Sequence, residues 1–147
     1  MAKSTQQQKY MLSMAGEYGV CAELCKREIQ ASLTFGNAKA VDVLLPCPNN
    51  PGCYRTIEVK TSRSGKVVTN FFQKYYDPNT KHPDFWILVQ IDKNNVSHYY
   101  ILTHQEMGNA QMVRNGVTQW AQSFGCDNVL FKDVKQYEGA WSKLCQS

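Results

Sequence analysis

Ile57-Glu58-Val59-Lys60, preceded sixteen residues earlier by Asp42 within Val41-Asp42-Val43-Leu44-Leu45, is the part of the chain whose reading decides the fold. Both stretches are short, apolar and rich in β-branched residues, which favours strands. Each also carries charge that a strand core does not want. Side chains alternate across a strand, so Glu58 and Lys60 share one face while Ile57 and Val59 share the other. An aspartate on a neighbouring strand can meet that charged pair. Two carboxylates and a lysine at the end of a small sheet can hold a divalent cation and position a water, which are the parts for cutting a phosphodiester bond. The same residues can instead form a partly buried salt bridge, with Lys60 or Arg55 as the cation. Spacing alone leaves both readings open.

Composition bounds the rest. The chain has 147 residues, 43% hydrophobic and 19% charged, the balance of a globular protein with material for one core. A net charge of +4 is compatible with a nucleic-acid partner without establishing one. The longest apolar runs, such as residues 85–89, are too short to span a bilayer. Residues 1–8 are polar and lack the apolar stretch of a secretory signal. A cytoplasmic protein without membrane association is expected. Cys21, Cys25, Cys47, Cys53, Cys126 and Cys145 are then expected as free thiols rather than a disulfide framework. Cys47 and Cys53 flank Pro48-Asn49-Asn50-Pro51-Gly52 and can face each other at the base of a hairpin. A zinc site from Cys21, Cys25, Cys47 and Cys53 is the lesser alternative, because no pair has the close spacing of zinc ligands.

Residues 1–9 are expected to form a flexible N-terminus, and residues 10–147 a single domain. Residues 10–30 follow a helical period of roughly 100° per residue, with Met11, Met14, Tyr18, Val20, Cys21, Leu24, Cys25 and Ile29 on one face. Glu17 falls inside that face, where a carboxylate costs free energy unless paired or bound to a cation. Residues 31–35, 40–46 and 54–61 read as strands, the last two joined as an antiparallel hairpin by a Pro/Asn/Gly turn. Residues 62–84 are irregular; within them only residues 70–76 have the makings of a turn or two of helix. Residues 85–92 and 97–102 form a second hairpin. Thr103 and Glu106 have capping-box spacing ahead of a short helix. Residues 109–124 are ambiguous. Asp133 and Gln136 suggest another capping box before a last helix. Trp86, Trp120 and Trp141 read as core. His82, His98 and His104 suggest no cluster.

The order of these parts resembles the PD-(D/E)XK nuclease superfamily. Gly16-Glu17-Tyr18-Gly19-Val20 with Ala22-Glu23-Leu24 resembles the first helix of small bacterial members. Ala31-Ser32-Leu33-Thr34, Gly36-Asn37-Ala38 and Val41-Asp42-Val43 are similar to their approach to the metal-binding aspartate. Ile57-Glu58-Val59-Lys60-Thr61-Ser62 is similar to their Glu-x-Lys strand. Four elements in order carry more weight than one short motif. Val41 stands where the superfamily often has proline, and the helix after the Glu-x-Lys strand is poorly written. Gln73 and Tyr76 resemble a Gln-containing motif found in some recombination nucleases.

The resemblance implies an α/β fold with a restriction-endonuclease-like core, a mixed central β-sheet flanked by helices. It implies a Mg²⁺-dependent DNA endonuclease in which Mn²⁺ can substitute, with no small-molecule cofactor. Asp42 and Glu58 would bind the ion with the backbone carbonyl of Val59. Lys60 would orient a water or stabilise phosphate charge. Glu17 would act through a water or a second ion, and all four side chains would converge on one pocket. Gln73 would be accessory. Arg63, Lys66, Lys74 and Lys81, interleaved with Phe71, Phe72, Tyr75 and Tyr76, would supply phosphate contacts and stacking faces, or else form a solvated loop with aromatic anchors. Cutting both strands would favour a homodimer. The alternative function is a non-catalytic nucleic-acid-binding or assembly module on the same fold. A weaker one is a protein-interaction domain with a structural salt-bridge cluster.

Overall fold

Alternation along residues 57–60 is the register on which a five-stranded sheet is built. The structure, a computed structural model, describes residues 4–34, 41–77, 79–120 and 127–145. The strands are β1 (Ser32–Leu33), β2 (Val43–Pro46), β3 (Tyr54–Ser62), β5 (Phe85–Ile91) and β6 (Ser97–Thr103), in the spatial order β1-β2-β3-β5-β6. β3 and β5 run parallel; the other neighbours are antiparallel. A parallel pair needs a long crossover. Here that crossover carries β4 (Lys66–Val68) and α2 (Phe71–Tyr75), and β4 pairs with β7 (Asn128–Leu130) in a small second sheet. The expected hairpins, mixed sheet and flanking helices are all present, whereas neither β4, within the stretch read as irregular, nor β7 has a counterpart in the sequence analysis.

One face of the sheet is dry. Ile57, Val59, Ile87, Val89 and Ile101 meet Val20 and Leu24 of α1 (Gln6–Lys26). The contact stripe is Leu12, Gly16, Val20 and Leu24, every fourth residue of the helix. It is narrower than the sequence suggests: Met11 and Tyr18 are 61% and 56% exposed. Gly16 explains the difference, because a Cβ there would collide with the Thr61 side chain. The helix lies so close that this row fills most of the space beneath it, with Cys21 at the margin.

The other face is aromatic. Trp86, Leu88, Tyr100 and Leu102 pack against Phe71, Phe72, Tyr75, Met107, Phe131 and Val134. Phe71, Phe72 and Tyr75 are therefore core anchors, not stacking platforms, because α2 turns them inward; Tyr76 is exposed. Trp86 and Trp141 are buried, as read from the sequence, and Trp120 packs against the same aromatic cluster. His82 and His104, expected to be unrelated, stack with ring centroids 3.8 Å apart.

Other boundaries shift for local reasons. α1 starts at Gln6, inside the stretch expected to be flexible, because Thr5 and Gln8 form a capping box. It ends at Lys26, four residues early, where Glu28 adopts a left-handed φ of 61°. The Thr103–Glu106 capping box does open α3 (His104–Asn115). Asp133 caps nothing: the C-terminal part is two 3₁₀ helices, Phe131–Tyr137 and Trp141–Cys145. Phe35, the Gly36-Asn37 stop, Ala40, Cys126 and the end of the ambiguous 109–124 stretch lie outside the described residues.

Cys47 and Cys53 are joined in a disulfide, correcting the expectation of free thiols; Cys21, Cys25 and Cys145 are free. The reason is the hairpin itself. Cys47 N–H donates to the Cys53 carbonyl at 2.9 Å, which sets their Cα atoms 5.3 Å apart, within bonding range. In a glutathione-buffered cytosol such a pair would rest as two apposed thiols. Among the described residues, no helix is long and apolar enough to cross a membrane.

Candidate functional site

The site exists because β2 is short. Its pairing with β3 stops at Val43 and Ile57, after which Asp42 N–H still donates to the Ile57 carbonyl at 2.9 Å. From Glu58 onward no strand among the described residues pairs with β3 on that side. Asp42 fills the first vacancy: its Oδ2 accepts the Val59 N–H at 2.8 Å. Backbone N–H and C=O of one strand residue point to the same edge, so the Val59 carbonyl also faces this opening. A cleft of about 650 Å³ lies along the open edge.

Glu17, Asp42, Glu58, Val59 and Lys60 all line that cleft. They reach it from different directions. α1 covers the Ile57 and Val59 face, whereas Glu58 and Lys60 point to the aromatic face beside Trp86 and Leu88. Glu17 and Glu58 thus approach round opposite sides of the open edge, with Asp42 at the rim. The electrostatics follow the same order. Glu17 is pushed up to about 7, first by burial and then by Asp42. Asp42 and Glu58 are both held above the usual carboxylate range, chiefly by burial.

Two lysines compensate in part. Lys60 Nζ stands 3.7 Å and Lys74 Nζ 3.8 Å from the same oxygen, Glu58 Oε1. At these lengths they are charge contacts rather than hydrogen bonds. Glu58 is 5% exposed, and its other oxygen, Oε2, is buried with no hydrogen-bond partner. A buried, unsatisfied carboxylate oxygen is costly. Asp42 and Glu58 therefore form an under-compensated pair of negative charges beside a backbone carbonyl, an oxygen-rich donor set of the kind a hard divalent cation takes. Among the described residues no three His, Cys, Asp or Glu side chains are gathered as a ready-made metal cluster. Magnesium does not require one, since it binds through one or two carboxylates and keeps several waters. The guanidinium of Arg55, the other candidate cation, lies over the Phe85 ring.

The other singled-out residues divide. Lys66 lines the cleft, and Lys74 reaches Glu58 from α2. Arg63 is exposed and donates to Asn95 Oδ1 at 2.9 Å, outside the cleft. Lys81 is exposed and does not line the cleft. Gln73 is exposed as well; its backbone N–H, not its side chain, is engaged, donating to Asp127 Oδ2 at 3.2 Å.

Asp127 is the residue that sequence reasoning missed. It is fully buried, and its Oδ2 also accepts the Phe72 N–H at 2.7 Å. A five-residue helix cannot stand alone. Asp127 caps α2 from a distant part of the chain and so holds Lys74 over Glu58. No spacing rule finds such a partner, because it lies 55 residues from Phe72.

No family model matches the chain, and no curated protein matches it. Among solved structures, the fold is similar to that of a bacterial homing endonuclease, I-Ssp6803I, with a TM-score of 0.55 and 10% identity over 97% of this chain and 92% of that one. At that identity the likeness concerns the fold alone: a mixed five-stranded sheet flanked by helices.

Proposed function

We propose that the chain is a PD-(D/E)XK-type endonuclease that hydrolyses phosphodiester bonds in DNA with Mg²⁺, for which Mn²⁺ can substitute. The observation that carries this reading is the buried, unpartnered Oε2 of Glu58 beside Asp42. The free oxygen of Asp42, Glu58 Oε2 and the Val59 carbonyl would hold the ion. When bound, the ion lowers the pKa of a water and polarises the phosphate. Lys60 orients the attacking water and balances charge that develops on the phosphate. Glu17, across Asp42 from Glu58, hydrogen-bonds water at the far wall of the cleft. A homodimer would supply one such site to each strand of a duplex.

The test is incubation of the protein with supercoiled plasmid, linear duplex, single-stranded and branched DNA, with and without Mg²⁺ or Mn²⁺. Cleavage that needs the ion, and that Asp42→Asn lowers on the order of a thousandfold, is the expected result; a Lewis acid is worth several kcal/mol in the transition state. Calorimetric titration should show Mn²⁺ binding to the wild type and none to Asp42→Asn. DNA binding with neither ion binding nor cleavage would replace this reading with that of a non-catalytic nucleic-acid-binding module.

A further inference from the structure

A second cleft of about 700 Å³ opens on the far side of the β3–β4 turn. Ser64, Lys66, Gln90, Tyr100, Lys132 and Lys135 are among the residues that line it. Its charge is of one sign. Lys66, Lys132 and Lys135 are exposed, none is in an ion pair among the described residues, and no acidic residue lines the cleft. Asp133, between the two C-terminal lysines, is exposed elsewhere.

Ser64 and Lys66 line both this cleft and the candidate active site, so the two adjoin across a single ridge. The ridge is firmly built. Ser62 and Ser64 hydroxyls donate to the Lys66 carbonyl at 2.7 and 2.9 Å. Gln90 Nε2 donates to the Ser64 carbonyl at 3.2 Å, and Phe131 N–H donates to the Gly65 carbonyl at 3.1 Å. Gly65 sits in that turn, and a Cβ there would meet nothing within 4 Å. The ridge is therefore low as well as fixed.

We propose that the second cleft is the track along which a DNA strand continues beyond the candidate active site, its phosphates held by Lys66, Lys132 and Lys135 as it crosses Gly65. The inference rests on the nuclease reading above and adds the strand's path. The geometry supports it in two ways. Unpaired lysines gather phosphates by charge and counterion release, which needs no particular base sequence. A rigid glycine crest admits a sugar-phosphate backbone where any side chain would raise the wall.

Binding of a fluorescent 20-base-pair duplex, followed by anisotropy in Ca²⁺ or metal-free buffer at several salt concentrations, tests this directly. Lys132→Gln with Lys135→Gln should weaken binding roughly tenfold at 0.1 M salt and reduce the slope of log affinity against log salt by about 1.8, at about 0.9 per phosphate contact. Gly65→Glu, which places a carboxylate on the crest without steric conflict, should weaken binding at least as much. Lys26→Gln removes a charge at the other end of α1 and should leave affinity unchanged. Melting temperatures within a few degrees of wild type are expected for all of these exposed positions. Wild-type affinity in both the double lysine variant and Gly65→Glu overturns the track and leaves the nuclease reading standing. No DNA binding by the wild type at low salt overturns the nuclease reading and the track together.

Discussion

The two faces of the sheet are built from the same strands yet differ in kind. Under α1 the contacts are mainly aliphatic and close, with Val20, Leu24, Ile57, Ile87 and Val89 all buried and Trp141 in the same cluster. On the opposite face lie the buried polar residues Glu58, Thr69, His104, Gln111 and Asp127, set among aromatic rings. There Glu58 Oε2, Tyr75 Oη, His104 Nε2 and Asp127 Oδ1 have no hydrogen-bond partner, whereas under α1 Thr61 Oγ1 is such an atom. A dry face needs only shape, whereas a polar face must satisfy each group or accept the cost. That cost falls mostly on the polar face, with Glu58 the acidic group that bears it inside the cleft.

The contrast can be broken by substitution on each side. On the dry face, Leu24→Ala should destabilise by about 3–4 kcal/mol through a cavity. The folded fraction should cut DNA at the wild-type rate. Urea unfolding beside single-turnover cleavage separates stability from activity, and a rate loss in folded protein would show that this face is not merely structural. On the polar face, Lys60→Ala should do the reverse. It should cost on the order of 3 kcal/mol in cleavage, about a hundredfold, with DNA affinity nearly kept. Ion binding should survive, since a cation has been removed. A variant that melts early but cuts at the wild-type rate when folded would reduce Lys60 to a salt-bridge partner of Glu58.

Asp127→Ala should blur the distinction, because its role is structural and its consequence functional. Leaving the Phe72 and Gln73 N–H groups without their carboxylate acceptor should cost about 2–3 kcal/mol. α2 should loosen and Lys74 leave Glu58, so cleavage should fall even in folded protein. Wild-type cleavage by the folded variant would separate α2 from the site.

This residue also marks the limit of what the sequence displays. The Glu-x-Lys alternation, Asp42, the hairpins and the Thr103 capping box are local patterns, and local patterns are legible in order along a chain. The capping of α2 by Asp127 and the pairing of β4 with β7 join segments some sixty residues apart, and nothing in their spacing announces them. The narrow stripe beneath α1 departs from the helical period for another reason. Helical periodicity marks which residues are apolar, but the closeness set by Gly16 against Thr61 decides how many of them are buried.

A pH titration tests the polar face at smaller scale. His104 accepts a hydrogen bond from Trp86 Nε1 at 3.1 Å and is pushed down to about 4, first by burial and then by His82. Between pH 4 and its ordinary value of 6.5 the unfolded chain binds a proton that the folded chain refuses. Stability should therefore fall as pH drops through that window, by about 2 kcal/mol. His104→Gln, which keeps an acceptor for Trp86, should remove about one proton from the difference in uptake. An unchanged pH slope in urea unfolding would place the titration elsewhere.

Glu17 gives the smallest effect and the sharpest link between the two faces, since it belongs to the dry side by its helix and to the cleft by its carboxylate. Its pKa is raised from 4.5 to about 7, first by burial and then by Asp42. For a carboxylic acid the sign is opposite to that of a buried histidine that stays neutral. Between pH 4.5 and 7 the folded chain holds a proton that the unfolded chain has lost, so stability falls as pH rises through the window. Above it, Glu17 is ionised in both states and its burial penalises the fold. Water still reaches the group, so the penalty is held to about 1 kcal/mol rather than the full value of the shift. Glu17→Gln should then be more stable than wild type at pH 8 by about that amount and equal to it at pH 4. Millimolar Mg²⁺ should narrow the gap at pH 8, because a nearby cation favours the carboxylate that the substitution removes. A gap that Mg²⁺ leaves untouched would assign Glu17 to the packing of α1 and take it out of the site.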